Sequence, residues 1–253
     1  MQRYRAPRGI LSAILARLVA LALPAILLAA CTRGGELKPA TPAASPLVAS
    51  PGSGGSVEGP PNAATAGAAD ERPVILFVGT SLTAGFGLDP SEAYPALVQQ
   101  KLDAAGLRYR VVNAGVSGET SAGARRRLDW LLRQPVAVLV LETGANDGLR
   151  GQDPDATRAN IQAILDAARH HAPPARLVLV AMEALPNYGD AYRRRFRAIY
   201  PELAKTSGAT LVPFLLEGVA GEASLNQPDG IHPTAEGQRR VADNVWKVLR
   251  PIL

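Results

Sequence analysis

The segment PDGIHPTAEG (residues 228–237) sets a carboxylate and an imidazole three residues apart, Asp229 and His232, with Gly230 between them and Pro233 directly after. In a tight turn this spacing lets the carboxylate reach Nδ1 of the ring and fix its tautomer, which leaves Nε2 free to take a proton from a nucleophile. Gly230 tolerates the backbone angles such a turn requires. Pro233 keeps the turn from running on as helix before Thr234, the expected cap of the last helix. The chain has 3 histidines. The other two, His170 and His171, end a helical stretch that leads into a strand, and so fall at the edge of a parallel sheet away from where ligands bind. His232 is the candidate general base.

A base of this kind needs a nucleophile. Ser81 follows the apolar run VILFVG in GTSL, where a rigid strand would hold its hydroxyl at the sheet edge. Taken singly, Ser81 reads better as a turn or cap residue. It does not stand in a G-x-S-x-G elbow, because position 83 is threonine. Acyl transfer also calls for donors to a developing oxyanion. Gly118, in VSGET, has no side chain to keep a substrate from its backbone N–H, and Asn146, in GANDG, offers an amide. Each also has a plain alternative, a turn for Gly118 and a helix cap for Asn146. Asp147 and Arg150 follow Asn146 and are expected to tie their loop in place. Asn187 and Tyr188, in LPNYG, are candidates to line an acyl or leaving-group channel.

Elements that would position these residues are legible from residue 73 onward. Five short apolar runs, at 74–79, 109–114, 137–143, 176–182 and 210–214, are rich in β-branched residues and apolar on both faces, as strands of a covered parallel sheet are. Between and after them lie amphipathic helical stretches, with Ser91, Ser121, Asp153 and Thr234 expected as N-caps. Such alternation predicts a three-layer, doubly wound α/β domain with right-handed crossovers. Ligands of these sheets sit beyond the carboxyl ends of the strands, where all the candidate residues fall.

The first 72 residues have a different character. Arg3, Arg5, Arg8 and Arg17 precede or interrupt an apolar run ending at residue 30, of signal-peptide length. LAAC, ending at Cys31, resembles a bacterial lipobox, and Cys31 is the sole cysteine of the chain. A lone thiol in an exported protein forms no internal disulfide. Lipidation of Cys31 is the expected explanation; the alternative is an inert cysteine in an uncleaved anchor, for which Arg17 speaks. Residues 31–72, rich in Pro, Ala, Gly and Ser, read as a tether and 73–253 as the folded domain. The formal net charge of +5 resides mostly in residues 1–30, which hold four arginines and no acid. Beyond them the charges nearly balance, so nucleic acid is excluded as a partner.

Taken together, Ser81 in GTSL, Gly118 in SGET, Asn146 in GAND, and Asp229 with His232 in DGIHP resemble the four blocks of the SGNH or GDSL-type serine hydrolases, in that order, across residues 73–253. VVNAGVSGETS, NDGLRG, LPNYG and PDGIHP resemble the periplasmic thioesterase, lysophospholipase and arylesterase branch. This resemblance implies a flavodoxin-like α/β/α sandwich with a five-stranded parallel sheet, neither metal nor other cofactor, and an oxyanion hole made by the Ser81 N–H, Gly118 and Asn146. It implies a catalytic Ser81, His232, Asp229 triad acting on small-molecule or lipid esters. The family's aspartate before the serine is Thr80 here, which leaves open what orders the nucleophile loop. A carbohydrate O-deacetylase would use the same site, and a surface-anchored binding module is the alternative of a different class. A monomer is expected, and the N-terminal features add the expectation that its lipid holds it in the cell envelope, at the outer membrane facing the periplasm.

Overall fold

A computed structural model describes residues 70–171 and 175–253. Residues 1–30, Cys31 and all but the last three residues of the expected tether lie outside the described residues, so the readings of a signal segment and a lipidated cysteine concern parts of the chain on which the structure does not bear.

Five strands form one sheet: β1 (Val74–Gly79), β2 (Arg110–Gly115), β3 (Val138–Glu142), β4 (Arg176–Val180) and β5 (Thr210–Val212). Their order is β2-β1-β3-β4-β5 and every pairing is parallel. This is the flavodoxin-like order, in which the chain leaves β1 in one direction for β2 and resumes on its other side with β3. The helices are α1 (Ser81–Ala84), α2 (Tyr94–Ala104), α3 (Ser121–Leu131), α4 (Ala145–Leu149), α5 (Pro154–His171), α6 (Gly189–Ser207) and α7 (Ala235–Leu249). α2 packs with α7, while α5 packs with both α3 and α6. Right-handed crossovers put these two groups on opposite faces, giving three layers. β1 and β3 are buried along their whole length, and Phe77, Tyr94, Phe196 and Tyr200 are the bulkiest fully buried side chains.

Some boundaries differ from the sequence expectation, each for a local reason. Ser91 is no cap of α2: its N–H and hydroxyl both bond Asp89, which caps a separate 3₁₀ turn (Pro90–Glu92), and α2 starts at Tyr94. Thr120 rather than Ser121 caps α3, its hydroxyl accepting from Gly123 N–H, because Ser121 is engaged with Asp147. Asp153 and Thr234 do cap their helices, accepting from Asp155 N–H and Gly237 N–H. β5 stops at Val212 because Pro213 has no N–H to continue the ladder. The short helices α1 and α4 stand where the sequence suggested only loops. Among the described residues no helix is long and apolar enough to cross a membrane.

Candidate active site

β1 delivers the nucleophile loop. A side chain at Gly79 would strike Thr83 and Glu142, so the strand must end in glycine. Thr80 then donates its N–H (2.8 Å) and its hydroxyl (2.9 Å) to the carboxyl of Glu142, the last residue of the neighbouring β3, and its Oγ1 accepts from Leu82 N–H as the cap of α1. Thr83 donates to the same carboxyl at 2.9 Å and shares a hydrogen bond with the Tyr94 hydroxyl. The side chains of Thr80, Thr83, Tyr94 and Glu142 are buried. Burial pushes the Glu142 carboxyl above its usual range, an effect that its hydrogen-bond donors partly offset. Gln238 of α7 ties this cluster to the last helix, accepting from Tyr94 N–H and donating to Leu82 O. Ser81 is left as the first residue of α1, half-exposed above a braced floor.

The segment between β5 and α7 brings the base. Asp229 Oδ2 lies 2.6 Å from His232 Nδ1, and His232 Nε2 lies 2.9 Å from Ser81 Oγ. Asp229 Oδ1 accepts the backbone N–H of both Ile231 and His232, and Gly230 takes φ +73° to close this turn. The hydrogen bond from His232 holds the Asp229 carboxyl down at about 2, so it remains an acceptor at ordinary pH. Nδ1 therefore donates to the Asp229 carboxylate, and in the neutral ring this leaves Nε2 to accept from the Ser81 hydroxyl. Gln227 N–H to His232 O (2.7 Å) and an antiparallel bridge between Asn226 and Pro233 close the base of the turn. The ring of Phe86 packs on the imidazole. His170 lies elsewhere, its Nδ1 bonded to Asp166 O in its own helix.

Two further loops carry Gly118 and Asn146; Asn146 lines the cavity beside Ser81 and His232, and Gly118 is not in that lining. Gly118, after β2, takes φ +77°, and the nearest atom to a Cβ there would be Arg150 Nη2 at 3.9 Å, so the position asks for glycine by backbone angle and not by crowding. Arg150 donates to Gly118 O at 3.1 Å, and Asn146 donates one amide hydrogen to Glu119 O at 2.9 Å. Asp147 is buried, accepting from Ser121 N–H, the Ser121 hydroxyl and the Thr157 hydroxyl, and so locks α4 to α3 and α5. The expected structural part of Asp147 and Arg150 is thereby accounted for. Among the described residues, the N–H groups of Ser81 and Gly118 have no hydrogen-bond partner.

Ser81, Asn146 and His232 line a cavity of about 410 Å³ whose walls include Leu149, Met182, Leu185, Phe214, Leu216 and Ile231. Pro186 belongs to this lining; Asn187 and Tyr188 do not. Tyr188 stands one layer behind, its hydroxyl donating to Leu149 O and its ring against Tyr192. Sequence reasoning passed over Glu142, Phe86 and Gln227. For Glu142 a signal was present, a lone carboxylate at the end of an otherwise apolar run. Nothing marked the other two, because the contacts that join them to each other and Phe86 to His232 are distant in sequence.

The sequence profile of the GDSL-like Lipase/Acylhydrolase family matches residues 77–240. The chain belongs to this family. The GDSL hydrolase is 43% identical over 180 residues to esterase TesA of Pseudomonas aeruginosa, covering 71% of this chain and 89% of the relative. It is 40% identical over 181 residues to thioesterase 1/protease 1/lysophospholipase L1 of Escherichia coli K12, covering 71% and 84%. A crystal structure of TesA superimposes with a TM-score of 0.68 at 42% identity, covering 71% of this chain and 99% of that one. Ser81, Gly118, Asn146, Asp229 and His232 all fall inside the matched segment of this GDSL hydrolase.

Proposed function

We propose that this GDSL hydrolase cleaves carboxylic esters of apolar acids by a two-step acyl transfer through Ser81. The observation that carries this reading is the run of contacts from Asp229 Oδ2 to His232 Nδ1 and from His232 Nε2 to Ser81 Oγ, at 2.6 and 2.9 Å, on the wall of an apolar cavity. Ser81 Oγ attacks the carbonyl carbon while Nε2 takes its proton, and Asp229 stabilises the imidazolium. The carbonyl oxygen, now negative, meets the N–H groups of Ser81 and Gly118 and the second amide hydrogen of Asn146. Collapse breaks the bond to the alcohol oxygen, which leaves with the proton from His232, and acyl-Ser81 remains. Water then gives a proton to His232 and attacks the acyl carbon; the acid departs and the proton returns to Ser81.

The relatives' names extend the substrates to thioesters and lysophospholipids, whose carbonyl carbon is attacked in the same way. A cavity walled by leucine, methionine and phenylalanine favours an alkyl or aryl group over a sugar, and so weighs against the O-deacetylase alternative. Hydrolysis of p-nitrophenyl esters of increasing acyl length tests both points. Wild type should turn these over, with an optimum longer than acetyl. Ser81→Ala should lose roughly 10⁴- to 10⁶-fold in kcat while remaining folded. A sharp optimum at acetyl would favour the deacetylase. Failure of a fluorophosphonate to label Ser81 would favour the binding module, since only an activated serine reacts.

A further inference from the structure

Phe86 has no part in the contacts just described, yet it touches them. It lies between α1 and α2 with its ring against the imidazole of His232, the centroids 4.5 Å apart and the planes inclined by 36°. It is 48% exposed, so core packing does not account for the contact. Its backbone is pinned by both loops of the site. The N–H donates to Ser81 O at 3.0 Å, and the carbonyl accepts from Gln227 Nε2 at 2.7 Å. Gln227 in turn donates its N–H to His232 O and its Nε2 to Pro233 O. Gly85 and Gly87 flank Phe86 with φ +74° and +78°, and a side chain at 87 would strike the Gln227 amide. This ring is placed on the imidazole by the fold.

The face of an aromatic ring attracts a cation within about 6 Å of its centroid. In the acyl-transfer reading, on which this inference rests, the His232 ring gains positive charge as it takes the serine proton. An interaction that strengthens as charge develops accelerates the reaction. We propose that Phe86 is a positioning residue for the reaction, its ring holding the His232 imidazole toward Ser81 and favouring the imidazolium that forms there.

Other charges around the ring are accounted for. Asp229 faces Nδ1. Glu183 and Arg193 share the cavity lining with His232; Glu183 is paired with Arg197 at 2.9 Å and Arg193 with Asp190 at 3.6 Å. On the Phe86 side, Asp89 and Glu92 form the capping box of their own 3₁₀ turn.

The test compares the full chain with Phe86→Leu, Phe86→Tyr and Phe86→Trp by kcat and KM on one p-nitrophenyl ester between about pH 5 and 9, with Ser81→Ala and His232→Ala as controls. Contacts of this class are worth roughly 2- to 30-fold. Phe86→Leu, apolar but without a ring, should lower kcat by such a factor with KM within about twofold. The acid limb of its kcat profile should move to lower pH by about 0.3 to 1.5 units, because the protonated ring loses support. Phe86→Tyr and Phe86→Trp should restore both. Loss expressed in KM alone would make Phe86 a substrate wall and overturn the inference, as would an acid limb common to all four proteins. If His232→Ala keeps wild-type turnover, the assignment of the base itself fails, which is a separate outcome.

Discussion

Asn146 shows how much is asked of one side chain. It spends one amide hydrogen on Glu119 O and keeps a second for an incoming oxygen, so it both fixes the Gly118 loop and serves the reaction as proposed. Asn146→Ala should lower kcat by about 10²- to 10³-fold with a much smaller change in KM, since the contact matters most when the oxygen is charged. Steady-state kinetics beside thermal unfolding checks this; an equal loss for a variant that has merely unfolded would show in the melt. Thr80 makes a similar point about side-chain chemistry. Its hydroxyl caps α1 with its lone pair and bonds Glu142 with its proton, which answers what orders a loop in which the family resemblance implied an aspartate. Sequence alone left that question open because the partner is 62 residues away.

At the scale of elements, the site is held by carboxyl groups at the end of β3 and in the first turn of α4. Glu142 sits under the nucleophile loop and Asp147 between α3, α4 and α5, each collecting hydroxyl and N–H donors inside the protein. Because burial raises the Glu142 pKa, the folded state holds that proton more tightly than the unfolded chain does. Its contribution to stability is therefore full below the ordinary glutamate value, about 4.3, and is lost as pH rises through the folded value. Glu142→Gln has no proton to lose. Its Tm relative to wild type should rise between about pH 4 and pH 8, read by thermal unfolding across that range. A difference that stays flat would refute burial as the cause. The five strands and the long helices were legible from apolar runs and helical periodicity. α1 and α4 were not, since each is about a single turn, too short to show a helical period, and its packing comes from other segments.

At the scale of the molecule, the order β2-β1-β3-β4-β5 explains why Ser81, Asn146 and His232, spread over 152 positions, line one cavity. Ser81 follows β1 and Asn146 follows β3, the adjacent strands at which the winding reverses, and the Gly118 loop follows β2 on the other side of β1. The long N-terminal segment adds a separate prediction. If Cys31 carries a lipid, as the lipobox resemblance implies, Cys31→Ser should move the protein from the membrane to the soluble fraction while leaving kcat/KM on a soluble ester unchanged. Fractionation of cells beside an activity assay reads both. A variant that stays with the membrane would favour an uncleaved anchor.

By itself the sequence determined the strand and helix alternation, the edge of the sheet at which chemistry would gather, and the residue types able to perform acyl transfer. Those follow from short-range rules: burial sets the period of apolar residues, and a carboxylate three residues before a histidine reaches it within one turn. Tertiary structure alone decided what surrounds them. It put Glu142 beneath Thr80, Phe86 on the imidazole, Gln227 across two loops, and Tyr188 behind Leu149 instead of in the cavity. Such contacts join segments tens to more than a hundred residues apart, and their geometry exists only once the sheet has fixed the relative positions of its loops.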